Sequence, residues 1–119
     1  MELKIFEVQK HKIAEIISEE VVINDTQDAL DLMANASYLG AQGVILNETN
    51  LRPEFFELRT RMAGEILQKF SNYRMKLAII GEFEKYKSKS LKAFITESNR
   101  GNLIFFAPDR DAAISRIMS

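Results

Sequence analysis

The sequence predicts an α/β domain built on one mainly parallel sheet, and three observations carry that prediction. Two β-rich runs open the chain across a short polar connection, the pattern of an antiparallel hairpin. Three later runs, Gly43-Val44-Ile45-Leu46, Leu77-Ala78-Ile79-Ile80-Gly81 and Leu103-Ile104-Phe105-Phe106-Ala107, are apolar almost throughout, as strands covered on both faces are. Stretches with apolar residues at three-and-four spacing alternate with those runs. The expected order is ββ(β)αβαβαβα, with right-handed crossovers and the hairpin as an antiparallel edge.

Taken in order, Leu3 to Val8 and Ile13 to Ile17 form the hairpin around Gln9-Lys10-His11-Lys12. Val21-Val22-Ile23 is β-branched and predicts a short third strand. Asn24-Asp25 supplies side-chain oxygens to cap a helix from Thr26 to Leu39, whose buried stripe is Ala29, Leu32, Met33 and Ala36 and which Gly40 ends. Asp28 and Asp31 sit in its early turns, where carboxylates favour the positive end of the helix dipole. After the central strand and the polar loop Asn47-Glu48-Thr49-Asn50, Pro53 suits the first turn of a long helix to about Asn72. Phe55, Leu58, Met62, Ile66 and Phe70 line one face of that helix. Leu91, Phe94 and Ile95 mark a further helix that begins near Ser88 or Ser90 and stops before Gly101. Asp109 is a good N-cap for the last, which carries Ala113, Ile114 and Ile117 inward.

At 119 residues the chain fits one domain with one core. Sixteen basic residues against seventeen acidic ones leave no broad positive field, so nucleic acid and anionic membrane are not expected partners. The absence of cysteine excludes disulfides, thiolate metal sites and thiol nucleophiles. The charged amino-terminal stretch lacks a signal-peptide core and no apolar run is long enough to span a bilayer, so the expected location is the cytoplasm.

The chemistry-bearing residues form no recognisable catalytic set. His11 is the single histidine, so no multi-histidine metal site and no serine–histidine system with a Gly-x-Ser-x-Gly elbow is expected; no metal and no cofactor is assigned. Gly81-Glu82-Phe83-Glu84-Lys85 follows a buried strand, but one glycine followed by glutamates makes no anion cradle. Lys85-Tyr86-Lys87-Ser88-Lys89-Ser90-Leu91-Lys92 is more suggestive, because lysines and hydroxyls meet free N–H groups at a helix start and could hold a phosphate. A solvated, capped helix start explains the same residues. Glu57, Arg61, Glu65 and Lys69, four apart with alternating sign, predict a ladder of ion pairs on the long helix. Gly64 within it predicts close backbone contact with the sheet or another chain. Phe55 and Phe56 are consecutive, about 100° apart on a helix, and with Leu51 they form either core or an apolar edge facing a partner.

This layout resembles the sulfate-transporter and anti-sigma-antagonist (STAS) fold, which opens with a hairpin and ends strand, helix, strand, helix. Phosphorylatable antagonists of that superfamily carry an Asp-Ser-Ser or Asp-Ser-Thr motif at the helix after the central strand. The corresponding Leu51-Arg52-Pro53-Glu54-Phe55-Phe56 has no serine or threonine, so the resemblance implies no phosphoserine switch there. The stretches Asp28-Ala29-Leu30-Asp31-Leu32-Met33, Ala63-Gly64-Glu65-Ile66-Leu67-Gln68-Lys69-Phe70, Asn72-Tyr73-Arg74 and Ser88-Lys89-Ser90-Leu91 resemble the bacterial family called domain of unknown function 4180. That resemblance implies a small bacterial cytoplasmic protein and transfers no activity.

Three functions follow as expectations. The first is a non-enzymatic regulatory or protein-interaction module that presents Glu48, Phe55 and Phe56 around the loop after the central strand. The second is a small-ligand or phosphate-binding domain that uses Lys85, Lys87, Ser88, Lys89 and Ser90 beside the strand ends. The third is an enzyme that uses Glu48, Glu82 and Asp109 for proton transfer. A protein partner fits the first, and a homodimer is compatible with all three.

Overall fold

The computed structural model describes residues 2–119. One five-stranded sheet has its strands in chain order: β1 (Glu2–Val8), β2 (His11–Ile17), β3 (Gly43–Asn47), β4 (Lys76–Ile80) and β5 (Ile104–Ala107). β1 and β2 are antiparallel, and every later pairing is parallel. Leu46 lies opposite Ile79 and Leu77 opposite Ile104, so the three apolar runs are parallel neighbours, as expected from their lack of any polar face.

Alternation along the strands divides the core into two layers. Val44, Leu46, Leu77, Ile79, Ile104 and Phe106 face α1 (Thr26–Tyr38), α2 (Met62–Asn72) and α3 (Lys89–Arg100). Ile13, Ile45, Ala78 and Phe105 face α4 (Arg110–Met118), alone on the other side. All three crossover helices therefore share one face, and the strand order never reverses. The caps expected from sequence are present: Asp25 accepts from Asp28 N–H, Ser88 from Leu91 N–H and Asp109 from Ala112 N–H. Gly40 follows α1 at φ +85°, a backbone shape that glycine takes at little cost.

α4 lies so close to the sheet that Gly43 has no room for a side chain. A Cβ there would come within 2.9 Å of Ile117 Cγ2. Lys76 anchors the end of the same helix, its Nζ donating to Ile117 O and Ser119 O at 3.0 Å each. Gly43→Ala is therefore expected to wedge α4 outward and to cost about 1–2 kcal/mol, read from the midpoint of urea unfolding.

Five expectations are corrected. The hairpin turn is only Gln9 and Lys10, at φ 48° and 72°, so His11 and Lys12 belong to β2; His11 is exposed and its Nδ1 lies 2.6 Å from Gln42 Oε1. Val21–Ile23 does not join the sheet. Ile23 makes a lone parallel bridge to Leu51, and Val22 and Ile23 N–H both donate to Asn50 O, because β2 already holds the place beside β3.

The long helix from Pro53 is broken into short 3-10 turns at Pro53–Phe56 and Leu58–Thr60 before α2 begins. Thr60 Oγ1 donates to Glu54 O and Glu57 O, both at 2.8 Å, competing for carbonyls that a continuous helix would use, and Arg61 takes a left-handed conformation at φ 66°. The ion-pair ladder is lost with the helix: Glu57 lies outside it and pairs instead with Arg59 at 3.4 Å. Finally, Gly64 makes no close approach within this chain, since a Cβ there would meet nothing within 4 Å.

Candidate functional site

The carboxyl ends of β3 and β4 bring the sequence-selected residues Glu48, Phe56 and Lys85 together. Glu48 follows β3 in a short turn, Glu48–Asn50, and its side chain is 12% exposed. Its Oε1 accepts from Lys85 Nζ at 2.8 Å and from Glu82 N–H at 3.1 Å, while Oε2 accepts from the Tyr86 hydroxyl at 2.8 Å. The donors come from the 3-10 turn Phe83–Lys85 and its flanks, directly after β4. Gly81 allows this approach, because a Cβ there would fall 2.8 Å from Glu48 Cδ and 2.9 Å from Phe83 Cζ.

Aromatic rings support the carboxylate cluster from beneath. Phe56 stacks on Tyr86 with centroids 5.0 Å apart and planes at 15°, and Phe55 meets Phe56 edge-on, also at 5.0 Å. Both phenylalanines are buried, Phe55 at 1% and Phe56 at 8% exposure. What reaches solvent above them is a shallow depression of about 310 Å³, lined among others by Val21, Thr49, Pro53 and Lys85. Val21 is 40% exposed and is the apolar part of this rim.

The electrostatics follow from the bonding. Burial acts to raise the Glu48 pKa, but the bonds from Lys85, Tyr86 and Glu82 N–H, with the Lys85 charge, outweigh it and hold the carboxyl below its ordinary value. The same contact works in reverse on Tyr86: burial first, then the hydrogen bond and negative charge of Glu48, raise its hydroxyl pKa far above the ordinary range. A depressed acid contributes stability that is present above its unfolded pKa and lost as pH falls through the folded one. Unfolding titrated from neutral pH downward should thus show a loss below about pH 4.3 that Glu48→Gln reduces. Tyr86 acts at the other limb: its raised pKa gives stability present below about pH 10 and lost above it, which Tyr86→Phe removes.

The remaining candidates do not converge on Glu48. Ser88 is occupied as the cap of α3, whereas Lys87, Lys89 and Ser90 are exposed around that helix start. Lys85 is drawn away from them toward Glu48. Asp109 is engaged at Ala112 N–H, and Glu82 contributes to the cluster through its main chain with its side chain exposed. The order of strands offers no switch point at which crossover helices diverge to open a ligand crevice.

Two residues central to this end of the molecule carried no signal that singled them out. Tyr86 stood within a lysine-rich stretch, and Asn50 within a polar loop. Asn50 is nevertheless fully buried. Its Oδ1 accepts from Asn47 N–H and its Nδ2 donates to Ser18 O and Glu20 O, each at 2.9 Å, which ties the Ser18–Glu20 segment after β2 to the loop after β3. A buried asparagine that satisfies backbone groups of two loops positions the turn bearing Glu48.

A family model described as "Domain of unknown function (DUF4180)" matches residues 8–117. No curated protein and no solved structure matches the chain.

Proposed function

Since the chain belongs to the family Domain of unknown function (DUF4180), we propose that it acts as a non-enzymatic regulatory or protein-interaction module in the cytoplasm, docking a protein through the strand ends around Glu48. One observation carries the reading: the Glu48 carboxylate is engaged by three donors from this chain, which closes the strand ends into a shallow surface. A general acid or base works best with a pKa near the working pH, whereas three of the four acceptor positions of this carboxylate are taken by Lys85, Tyr86 and Glu82, which hold its pKa down. The contact face is the rim: exposed Val21, Thr49 and Pro53, with Lys85 as its cation. Phe55 and Phe56 act from below, holding the rim in place.

The test compares crosslinked affinity capture by the native protein, by Val21→Asp on the rim and by Tyr38→Ala. Tyr38 ends α1 at the opposite end of the sheet and is 90% exposed, so it controls for general surface effects. A partner retained by the native chain and Tyr38→Ala but reduced at least about tenfold, roughly 1.4 kcal/mol, by Val21→Asp supports the reading. Capture indifferent to Val21→Asp overturns it. So does a saturable NMR response to inorganic phosphate confined to residues 88–92, which would assign this end to small-ligand binding.

A further inference from the structure

The two edges of the sheet differ. On β5 the residues whose backbone groups face outward include Phe106, because Leu103 O and Ala107 O already accept from Leu77 N–H and Gly81 N–H of the β4 side. Asn99 of α3 occupies both groups of Phe106, its Oδ1 accepting from the N–H at 2.7 Å and its Nδ2 donating to the carbonyl at 3.2 Å. The side-chain amide thus stands where another strand would bond, one of the ways an edge is protected from pairing.

β1 has no such cover. In a two-residue hairpin the residues flanking the turn form a hydrogen-bonded pair, here Val8 and His11, and the alternation then turns Phe6, Lys4 and Glu2 toward β2. Leu3, Ile5 and Glu7 turn their N–H and carbonyl groups outward. The far side of β2 agrees with this phase, since Lys12 O accepts from Gln42 N–H on the β3 side. Among the described residues nothing bonds to the outward groups of Leu3, Ile5 and Glu7. The strand contains no proline, and its pairing with β2 runs unbroken from Glu2 to Val8, so it presents a regular edge.

We propose that this edge pairs antiparallel with β1 of a second copy about a two-fold axis at Ile5, which joins the two sheets into one. This register uses all of β1: Ile5 opposes Ile5, Leu3 opposes Glu7, Lys4 opposes Phe6 and Glu2 opposes Val8. Outward groups then meet outward groups, for roughly six main-chain hydrogen bonds. Charge selects the register. Sliding the partner to an axis at Lys4 sets two lysines directly opposite, which is unfavourable, and sliding it to an axis at Phe6 leaves Glu2 and Leu3 unpaired. The charges of Glu2, Lys4 and Glu7 that discourage arbitrary strands are kept from direct like-charge opposition in this one. A contact of one strand pair is small, so the dimer dissociates on dilution.

Sedimentation and amide hydrogen exchange on the intact chain, from about 20 µM to about 1 mM, test the proposal. Protection at the Leu3, Ile5 and Glu7 amides should rise at least about tenfold with concentration, while Lys4 and Phe6, already bonded to β2, stay constant. Glu7→Pro removes an outward donor from an exposed position and leaves the bonds to β2 in place; it should shift the chain to monomer with an unchanged circular dichroism spectrum. If the native chain stays monomeric at about 1 mM and the three outward amides exchange freely, the proposal is overturned. A dimer whose outward amides remain unprotected overturns it equally, by placing the contact elsewhere; this reading needs no refolded variant.

Discussion

Replacing Asn50 by alanine is expected to destabilise the protein by about 4 kcal/mol, although the residue lies in a loop. The side chain is fully buried and satisfies three backbone groups, Asn47 N–H and the carbonyls of Ser18 and Glu20. Alanine removes all three bonds and leaves a space lined by polar atoms. Each buried group left without a partner costs about 1–3 kcal/mol, and water entering the space recovers part of the total. The loss also propagates, because Asn50 O anchors Val22 and Ile23 N–H through the same residue. Equilibrium urea unfolding gives the magnitude. Faster amide exchange at Val22, Ile23 and Asn47 in the variant would identify the cause as the loss of this tie; a variant as stable as the native chain would refute the role given to it.

Phe55→Ala is expected to cost about 3–5 kcal/mol, the range for emptying a buried aromatic site. Phe55 is 1% exposed and among the largest fully buried side chains, with its ring edge-on to Phe56. Phe56→Ala should cost somewhat less in cavity energy and in addition unseat Tyr86 from its stack, which loosens the donor set of Glu48. The two substitutions are in contact and should not be additive. Calorimetric unfolding of both singles and the double gives the coupling. If Phe55→Ala unfolds at the native temperature, the assignment of this ring to the core fails, and a ring facing a partner becomes the better account.

The strands and helix caps were legible because their signals are local. Val44 to Leu46, Ile79 and Phe105 sit in runs with no polar face, and Asp25, Ser88 and Asp109 precede amphipathic stretches directly. The break at Arg61 left no such trace: Phe55, Leu58, Met62 and Ile66 keep a helical spacing across it, and arginine is not a residue that marks positive φ. Gln9 and Lys10 hide their turn for the same reason, having neither glycine nor asparagine between them. Of the candidate site, Glu48, Phe56 and Lys85 were identified singly, but their meeting was not. The partners of Glu48 lie 34 to 38 residues further along the chain, a separation that only the parallel pairing of β3 with β4 closes. Asn50 was hidden by its type, since a buried asparagine and a solvated one look alike in a polar loop.

The unbroken order of the sheet bears on how the protein is made. From β2 onward each strand lies beside the one translated just before it, so a growing chain finds every docking edge already built and can fold vectorially as it emerges. Until α4 arrives, one face carrying Ile45, Ala78 and Phe105 stays bare to water. That bare face is the last part of the core to be covered, because α4 is the final element of the fold and follows β5 after only two residues.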